Sequence, residues 1–158
     1  MWINIILLIS FVVSSVLYFS ACRRIEKAPD AVVVAGQHNI YIEHGADFLM
    51  ELTLNDENGD PIDLTTSTFS GQVRKTATSA DSLGDFTFTI LNQAVPANVG
   101  KVQVKMSNAV TSAIPVNRNT TYAKTPTKYA YDIERSESGG LKERWLEGVA
   151  TVSPEVTR

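Results

Sequence analysis

The stretch NDENGDPIDL, residues 55–64, groups several acidic side chains with two asparagines. Asp56, Asn58 and Asp60 alternate in the way that opens a calcium-binding EF-hand loop. Such a loop needs a glycine at the next position and a closing glutamate further on, and the chain has a proline and a serine at those places. The sequence therefore argues against an EF-hand and favours a turn between two strands, with Asn-Gly as the turn dipeptide.

The other residues that could do chemistry are few. His38 and His44 are the only histidines, and Asp47 follows closely. A Ser-His-Asp hydrolase site also needs a nucleophile on a sharp elbow, and no G-x-S-x-G occurs in the chain. We expect both histidines to be exposed loop residues, and we predict no enzyme activity, no catalytic or metal-binding residue and no cofactor.

The charge and the cysteine content narrow the classes of function. The formal net charge is −3, and once Arg23 and Arg24 are set aside 12 basic and 17 acidic residues remain. Nucleic-acid binding needs a cationic face, so we predict no nucleic-acid partner. Cys22 is the single cysteine, which excludes an intrachain disulfide and a cysteine-rich zinc site.

The elements that would position these residues show the period-two alternation of β-strands. The segments with this pattern or with a short apolar run are 31–36, 39–45, 46–54, 68–75, 85–91, 101–106, 128–135 and 141–153. They predict an all-β fold, an immunoglobulin-like antiparallel β-sandwich of about seven to eight strands. A short helical turn is expected over 108–115. Trp145, expected in the core, and Leu146 should face opposite ways unless a bulge intervenes.

The first 24 residues differ from the rest, because residues 1–22 carry no charge. Four interpretations remain open: a cleaved secretory signal, a lipoprotein signal with lipidation at Cys22, an uncleaved membrane anchor, or a start-site artefact. We therefore predict an apolar N-terminal helix or leader over residues 1–24, a linker over residues 25–30, and the sandwich over residues 31–158.

Two segments together resemble a known family. Residues 55–75 fit an acidic turn followed by G-x-P-x-D-L-T and a strand with Q-x-R. Residues 128–158 fit Y-x-Y-D-(I/L)-E, a Ser/Gly turn and an ending P-E-V-T-R. These features resemble small virion structural proteins of tailed bacteriophages. They are similar to the immunoglobulin-like N-terminal domain of phage baseplate upper proteins and to short virion proteins of cyanophages and related marine phages.

The resemblance implies a non-enzymatic structural module of the tail, baseplate or neck, located in the virion. It would contact other virion structural proteins and would occur as a homo-oligomer or in several copies. The expected partner-contact loops contain Asp56, Asn58, Asp60, Ser138 and Gly139, and the C-terminal motif contains Glu155 and Arg158. The alternative is a membrane-anchored or lipid-anchored binding module at a bacterial membrane or cell surface, and a membrane partner is expected only if residues 1–24 are a real anchor.

Overall fold

The computed structural model describes residues 19–22, 35–56, 58–117 and 126–155, with the backbone path alone for residues 19–22. This part of the chain contains ten strands, a short 3-10 helix and one α-helix. The strands are β1 Phe19–Cys22, β2 Gly36–Gln37, β3 Ile40–Glu43, β4 Phe48–Asn55, β5 Ser67–Arg74, β6 Ser82–Asp85, β7 Thr87–Ile90, β8 Lys101–Met106, β9 Thr127–Glu137 and β10 Lys142–Ser153. The 3-10 helix is Pro96–Asn98 and α1 is Asn108–Ala113.

The strands form two sheets. Sheet A has four strands in the order β1, β4, β8, β7. Sheet B has six strands: β2 and β3 lie along one side of β10, and β9, β5 and β6 follow on its other side. The inner strand pairs are antiparallel, whereas β1 pairs with β4, and β2 and β3 pair with β10, in parallel. The predicted all-β sandwich is confirmed, and the parallel edge strands are an addition to the predicted antiparallel pattern.

The core lies between the sheets and follows from the alternation. Because successive side chains of a strand point to opposite faces, the buried residues of β4, β8 and β9 recur at every second position. The buried apolar residues include Ile40, Ile42, Met50, Leu52, Leu54, Val73, Val102, Val104, Met106, Tyr131, Ile133, Ala150 and Val152. Tyr129 and Tyr131 add hydroxyl groups that donate to the carbonyls of Pro115 and His38. The predicted inward faces are confirmed in the described strands.

One segment passes from sheet B to sheet A. β6 pairs with β5 in sheet B, and β7, which follows after a single residue, pairs with β8 in sheet A. That residue is Phe86, whose amide donates to the Gly71 carbonyl and whose side chain is buried. The crossing joins the two sheets through one continuous chain. β6 itself was not predicted, since its sequence SLGD lacks β-branched and aromatic residues.

β10 contains a bulge. Its pairing with β9 shifts between Arg144 and Leu146, and both Trp145 and Leu146 are buried. An extra residue in one strand turns two successive side chains to the same side of the sheet. The bulge thus resolves the conflict that the sequence presented at these two neighbours.

The first edge strand of sheet B is interrupted at His38 and Asn39. The His38 amide donates to the Glu147 carbonyl, and the Asn39 side chain accepts from the Val149 amide, so side chain and backbone together maintain the pairing. Gly148 lies opposite the interruption and leaves room for the His38 carbonyl. The chain can therefore approach β10 closely between β2 and β3.

The N-terminal leader falls only partly within the described residues. Phe19–Cys22 form strand β1 against β4, where the sequence predicted a helix or leader, because these residues satisfy backbone groups of a sheet edge instead of continuing a helix. Residues 1–18 and 23–34, which include the whole predicted linker, lie outside the described residues, so the predicted boundaries there stay predictions. The short helix α1 confirms the predicted helical turn and ends before Pro115, which lacks the amide needed to continue it.

Candidate functional site

The acidic turn between β4 and β5 is held by its own carboxylate. Asp56 Oδ1 accepts hydrogen bonds from the backbone amides of Asn58 and Asp60, each at 2.9 Å. The Asp56 amide in turn donates to the Asp60 carbonyl at 2.8 Å, and Gly59 takes a φ of +90°. The amide of Asp60, with smaller contributions from Asn58, holds the pKa of Asp56 below its ordinary value. These bonds confirm the predicted turn.

The described residues of the acidic turn leave few oxygen atoms that could bind a metal ion. Asp56 Oδ1 already binds two amides, and calcium requires six to eight converging oxygens. In the described ranges, no group of three or more His, Cys, Asp or Glu side chains could hold a metal ion. Asn58 and Asp60 are exposed at the surface, where they are available to a partner protein.

The second predicted contact loop is the tip between β9 and β10. The Gly140 amide donates to the Glu137 carbonyl, and Gly139 and Gly140 have positive φ values. Ser138 and Gly139 are exposed, and the Ser138 amide donates to the Thr66 carbonyl at 3.2 Å. Thr66 directly precedes β5, so the tip and the acidic turn lie at the same end of the sandwich. The structure therefore brings the two predicted loops to one end.

Glu155, from the predicted C-terminal motif, lies at the opposite end. Its Oε1 is 3.6 Å from Nδ1 of His44, in the turn between β3 and β4. The His44 amide donates to the Ser153 carbonyl at 2.9 Å, which ties this turn to the end of β10. Arg158 lies outside the described residues. The C-terminal motif and the contact loops are therefore not one surface.

The prediction that both histidines are exposed is wrong for His44. Its side chain is only 4% exposed, because the turn folds under the last residues of β10 and carries the imidazole inward. His38 is half-buried, and burial lowers its pKa. Sequence alone could not show this, since both histidines flank strand β3 and a polar residue beside a turn usually faces solvent.

Asp47 binds the first residue of helix α1. Its Oδ1 accepts a hydrogen bond from the Asn108 amide at 2.6 Å, at the first residue of α1. Thr111 of the same helix donates to the Ala46 carbonyl at 2.8 Å. A carboxylate at a helix start satisfies an amide that has no partner within the helix. His38 and Asp47 line one groove, but His44 does not, so the three residues do not form one catalytic group.

The groove beside them, named here the edge groove, runs along the open side of the sandwich between β3 and β4. It has a volume of about 410 Å³ and is lined by His38, Asn39, Ile40, Tyr41, Glu43, Ala46, Asp47, Phe48, Leu49 and Met50. Tyr41 is 76% exposed and Leu49 is 52% exposed. In the described part of the chain, β3 pairs only with β10, and residues 48–51 pair only with β8. Two sheet edges thus face solvent beside exposed apolar side chains.

A second depression lies on sheet B and is lined largely by charged and polar side chains. It has a volume of about 370 Å³ and is lined by Gln37, Gln72, Arg74, Ala77, Ala130, Tyr131, Asp132, Arg144, Glu147, Gly148 and Val149. Arg144 contacts Asp132 Oδ2 at 3.2 Å and Glu147 Oε2 at 3.1 Å. Arg74 donates to the Ser79 carbonyl at 2.6 Å. Burial raises the pKa of Asp132, and the nearby Arg144 guanidinium partly offsets this. The charged groups are largely satisfied by one another.

Sequence reasoning missed Arg135. This side chain is 6% exposed, its Nε donates to Ser67 Oγ at 2.9 Å, and its guanidinium lies 5.6 Å from the centre of the Trp145 ring. Glu137 pairs with it at 2.6 Å. The sequence did contain a signal for its burial. Arg135 continues the alternation of Tyr131 and Ile133, so it lies on the inward face of β9. A buried arginine needs such partners, which only the assembled sheets provide.

Cys22, the predicted lipidation position, ends β1 and pairs in register with Asn55. It therefore lies next to the start of the acidic turn. Within the described ranges, no helix has the length and apolar character needed to cross a membrane.

Two solved structures are distantly similar to this chain. A 2,6-sialyltransferase of Vibrionaceae Photobacterium sp. JT-ISH-224, in a ternary complex with CMP and lactose, is 11% identical with a TM-score of 0.24, over 76% of this chain and 18% of that one. The bradyzoite-specific antigen BSR4 of Toxoplasma gondii is 10% identical with a TM-score of 0.29, over 83% of this chain and 47% of that one. The chain thus spans less than half of either structure. No protein-family model and no curated protein matches the sequence.

Proposed function

We propose that this chain is a non-enzymatic structural module of a tailed-phage particle, in the tail, baseplate or neck. It acts through contacts with other virion structural proteins and is present in several copies. The resemblance of residues 55–75 and 128–158 to small virion proteins supports the location. The surface of the sandwich supports the mode of action.

The observation that carries the proposal is the edge groove. Unpaired backbone groups along a sheet edge accept strands from other chains, and natural proteins usually blunt such edges with charge, proline or a covering loop. Here β3 and the first half of β4 present open edges, and Tyr41 and Leu49, which line the groove, are largely exposed. Tyrosine is enriched at the energetic centres of interfaces. The groove therefore suits an extended segment of a partner protein.

The direct test is the composition of purified particles. We expect peptides from residues 35–155 in gradient-purified particles, in a fixed ratio to the major structural proteins across the gradient fractions. If quantitative mass spectrometry finds these peptides only in the soluble or membrane fraction of the producing cells, the proposal is wrong.

A surface variant tests the groove itself. Tyr41→Ser combined with Leu49→Ser should leave the unfolding free energy within about 1 kcal/mol of the parent, because both side chains are largely exposed. Incorporation into particles should fall at least tenfold. The matched control is Val95→Ser combined with Leu141→Ser, which removes exposed apolar side chains outside the groove. Equal incorporation of the two variants would rule out the groove as the contact surface.

The anchored binding module is the second candidate, and the uncharged residues 1–22 favour it. Mass spectrometry of the N-terminal peptide separates the two proposals. An acylated Cys22, or a chain that keeps residues 1–22 in a membrane fraction, would support the anchored module. An N-terminus near residues 25–31 without lipid would support the virion subunit.

A further inference from the structure

We infer that the open edge of β3 binds an extended segment of a partner protein that carries a lysine or arginine two residues away from an apolar or aromatic side chain. The inference rests on the proposed function, because it names the chemistry of the partner that the edge groove accepts. The direction of the β3 backbone groups and the charges along the groove support it.

The backbone of β3 alternates between β10 and the open side. The amides of His38 and His44 donate to carbonyls of β10, and β3 pairs with β10 in parallel. Because backbone groups of successive strand residues point to opposite edges, the N–H and C=O groups of Tyr41 and Glu43 are turned away from β10. Within the described chain β3 pairs with no other strand, and of these groups only the Glu43 carbonyl is bonded, to the Ala46 amide. The edge therefore offers a partner strand both backbone groups of Tyr41 and the amide of Glu43.

The side chains of Tyr41 and Glu43 share one face of β3. Ile40 and Ile42 point into the core, so the two exposed side chains that alternate with them lie on the outer surface of sheet B. On an added strand, the side chains directly opposite lie about 5 Å away and are themselves two residues apart. A partner segment therefore places one side chain against the tyrosine ring and another against the carboxylate.

The charges along the groove select the sign of that second side chain. Glu43 and Asp47 are exposed there, and no lysine or arginine of the described residues lines the groove. Burial lowers the pKa of His38, so its imidazole adds no positive charge at neutral pH. Lys105 on β8 and Lys128 on β9 belong to strands further inside the sheets. Opposite charges across a strand pair stabilise it and like charges destabilise it, so the edge favours a basic segment over an acidic one.

Tyr41 provides the apolar part of the contact. Its side chain is 76% exposed, and Leu49 on the other side of the groove is 52% exposed. Aromatic and β-branched side chains opposite a tyrosine stabilise a strand pair, and the methylene stem of a lysine can also cover the ring while its ammonium group reaches a carboxylate. Burial of the tyrosine thus supplies affinity, and Glu43 supplies the preference for a cation.

A palindromic peptide tests the inference. The capped peptide TVKVYVKVT has a lysine two residues from the tyrosine on each side and reads the same in both directions, so parallel and antiparallel pairing present the same side chains. The matched peptide TVEVYVEVT replaces both lysines by glutamate. NMR titration of the isotope-labelled full chain measures the Kd of each peptide, and hydrogen exchange shows which amides the bound peptide protects.

We expect the Kd of the lysine peptide to be at least about fivefold lower than that of the glutamate peptide, with slower exchange at the Tyr41 and Glu43 amides. Glu43→Lys should reverse the preference, and Glu43→Gln should reduce it. Asp81→Lys is the control, because Asp81 is exposed outside the groove and its replacement changes the net charge by the same amount. The preference of this control should match that of the parent.

Three results would overturn the inference. They are equal affinities of the parent for the two peptides, no binding of either peptide, and the same preference in the Glu43→Lys and Asp81→Lys chains. Protection of the Leu49 amide without protection of the Tyr41 amide would place the segment on β4 and would overturn it as well.

These outcomes are separate from the composition of purified particles. Loss of the peptide preference, with the protein present in particles, removes the basic partner and leaves the virion role. A peptide preference without the protein in particles leaves the binding edge and removes the virion role.

Discussion

At Gly148 of β10, the backbone of the first edge strand comes so close that a side chain would not fit. A methyl group there would overlap the His38 carbonyl oxygen and lie 2.7 Å from its carbon. Those are backbone atoms of the interrupted strand, so relief requires that β2 and β3 move away from β10. Tyr131, whose hydroxyl donates to the same carbonyl, would lose its partner.

We therefore expect Gly148→Ala to lower the unfolding free energy by about 2–4 kcal/mol, because the cost of the steric overlap is added to the cost of the lost Tyr131 hydrogen bond. Urea denaturation measures the loss. Ser138→Ala is the control, because Ser138 is exposed and its hydrogen bond to the Thr66 carbonyl comes from the backbone amide. Similar losses for the two variants would contradict the close approach at Gly148.

Asp56 shows how one carboxylate can organise a turn. The pKa of Asp56 is lowered chiefly by its hydrogen bond from the Asp60 amide. The charged carboxylate therefore stabilises the turn at pH values above the pKa of Asp56 in the unfolded chain. This stabilisation is lost as the pH falls through the lower pKa of the folded protein. We expect the carboxyl carbon resonance of Asp56 to titrate with a midpoint below 3.8. In the same titration, the Asn58 and Asp60 amide resonances should shift with that midpoint. A midpoint at or above 3.8 would show that the amides do not bind this oxygen in solution.

At the scale of elements, the end of β10 covers the turn between β3 and β4. The carboxylate of Glu155 lies against Gly45, whose φ is +83°, and beside the buried imidazole of His44. A side chain at Gly45 would meet both a strained backbone and this carboxylate. The two effects can be separated, because only the second depends on Glu155.

A double-mutant cycle makes this separation. Gly45→Ala should destabilise the parent by about 1–2 kcal/mol, and by at least about 0.5 kcal/mol less when Glu155 is already alanine. The unfolding free energies of the parent, the two single variants and the double variant give the coupling. Strict additivity would show that the Glu155 side chain does not rest on this turn in solution.

At the scale of the whole molecule, Phe86 connects the two sheets. Its ring lies 6.0 Å from Phe48 in sheet A and 6.1 Å from Tyr131 in sheet B. It also occupies the point where the chain crosses between the sheets. Because one ring packs against both layers, we expect the sandwich to behave as one cooperative unit.

Phe86→Ala should lower the unfolding free energy by about 3–5 kcal/mol, the usual cost of removing a buried aromatic ring. Both sheets should lose protection together in hydrogen exchange under mild denaturant. Leu141→Ala is the control, since Leu141 is 68% exposed and lies outside the core. A variant that lost protection in only one sheet would contradict a single cooperative unit.

The alternating strands were predictable because burial follows residue parity wherever a strand has one covered face. Phe48, Met50, Leu52 and Leu54 needed no partner to be assigned inward. The acidic turn was predictable for a similar reason. Its bonds join near neighbours, so the spacing of Asp56, Asn58 and Gly59 contains most of the information. In both cases, interactions between residues close together in the sequence were enough to predict the structure.

Contacts between distant segments were not predictable in this way. His44 is buried because Ser153 and Glu155, far along the chain, cover its turn. Arg135 can be buried because Ser67 and Trp145, which lie on other strands, contact its guanidinium group. The edge groove exists because β3, an edge strand of sheet B, lies beside the first half of β4, which β1 leaves uncovered in sheet A.

By itself, the sequence determined the all-β class, the inward faces of the strands and the turn at Asp56, since each depends on period and on neighbouring residues. Only the tertiary structure decided the parallel edge strands, the bulge at Trp145, the partners of His44 and Arg135, and the side of the sandwich that stays open. The physical reason is that strand order and sheet edges depend on pairing between segments far apart in the chain, which a one-dimensional pattern does not encode.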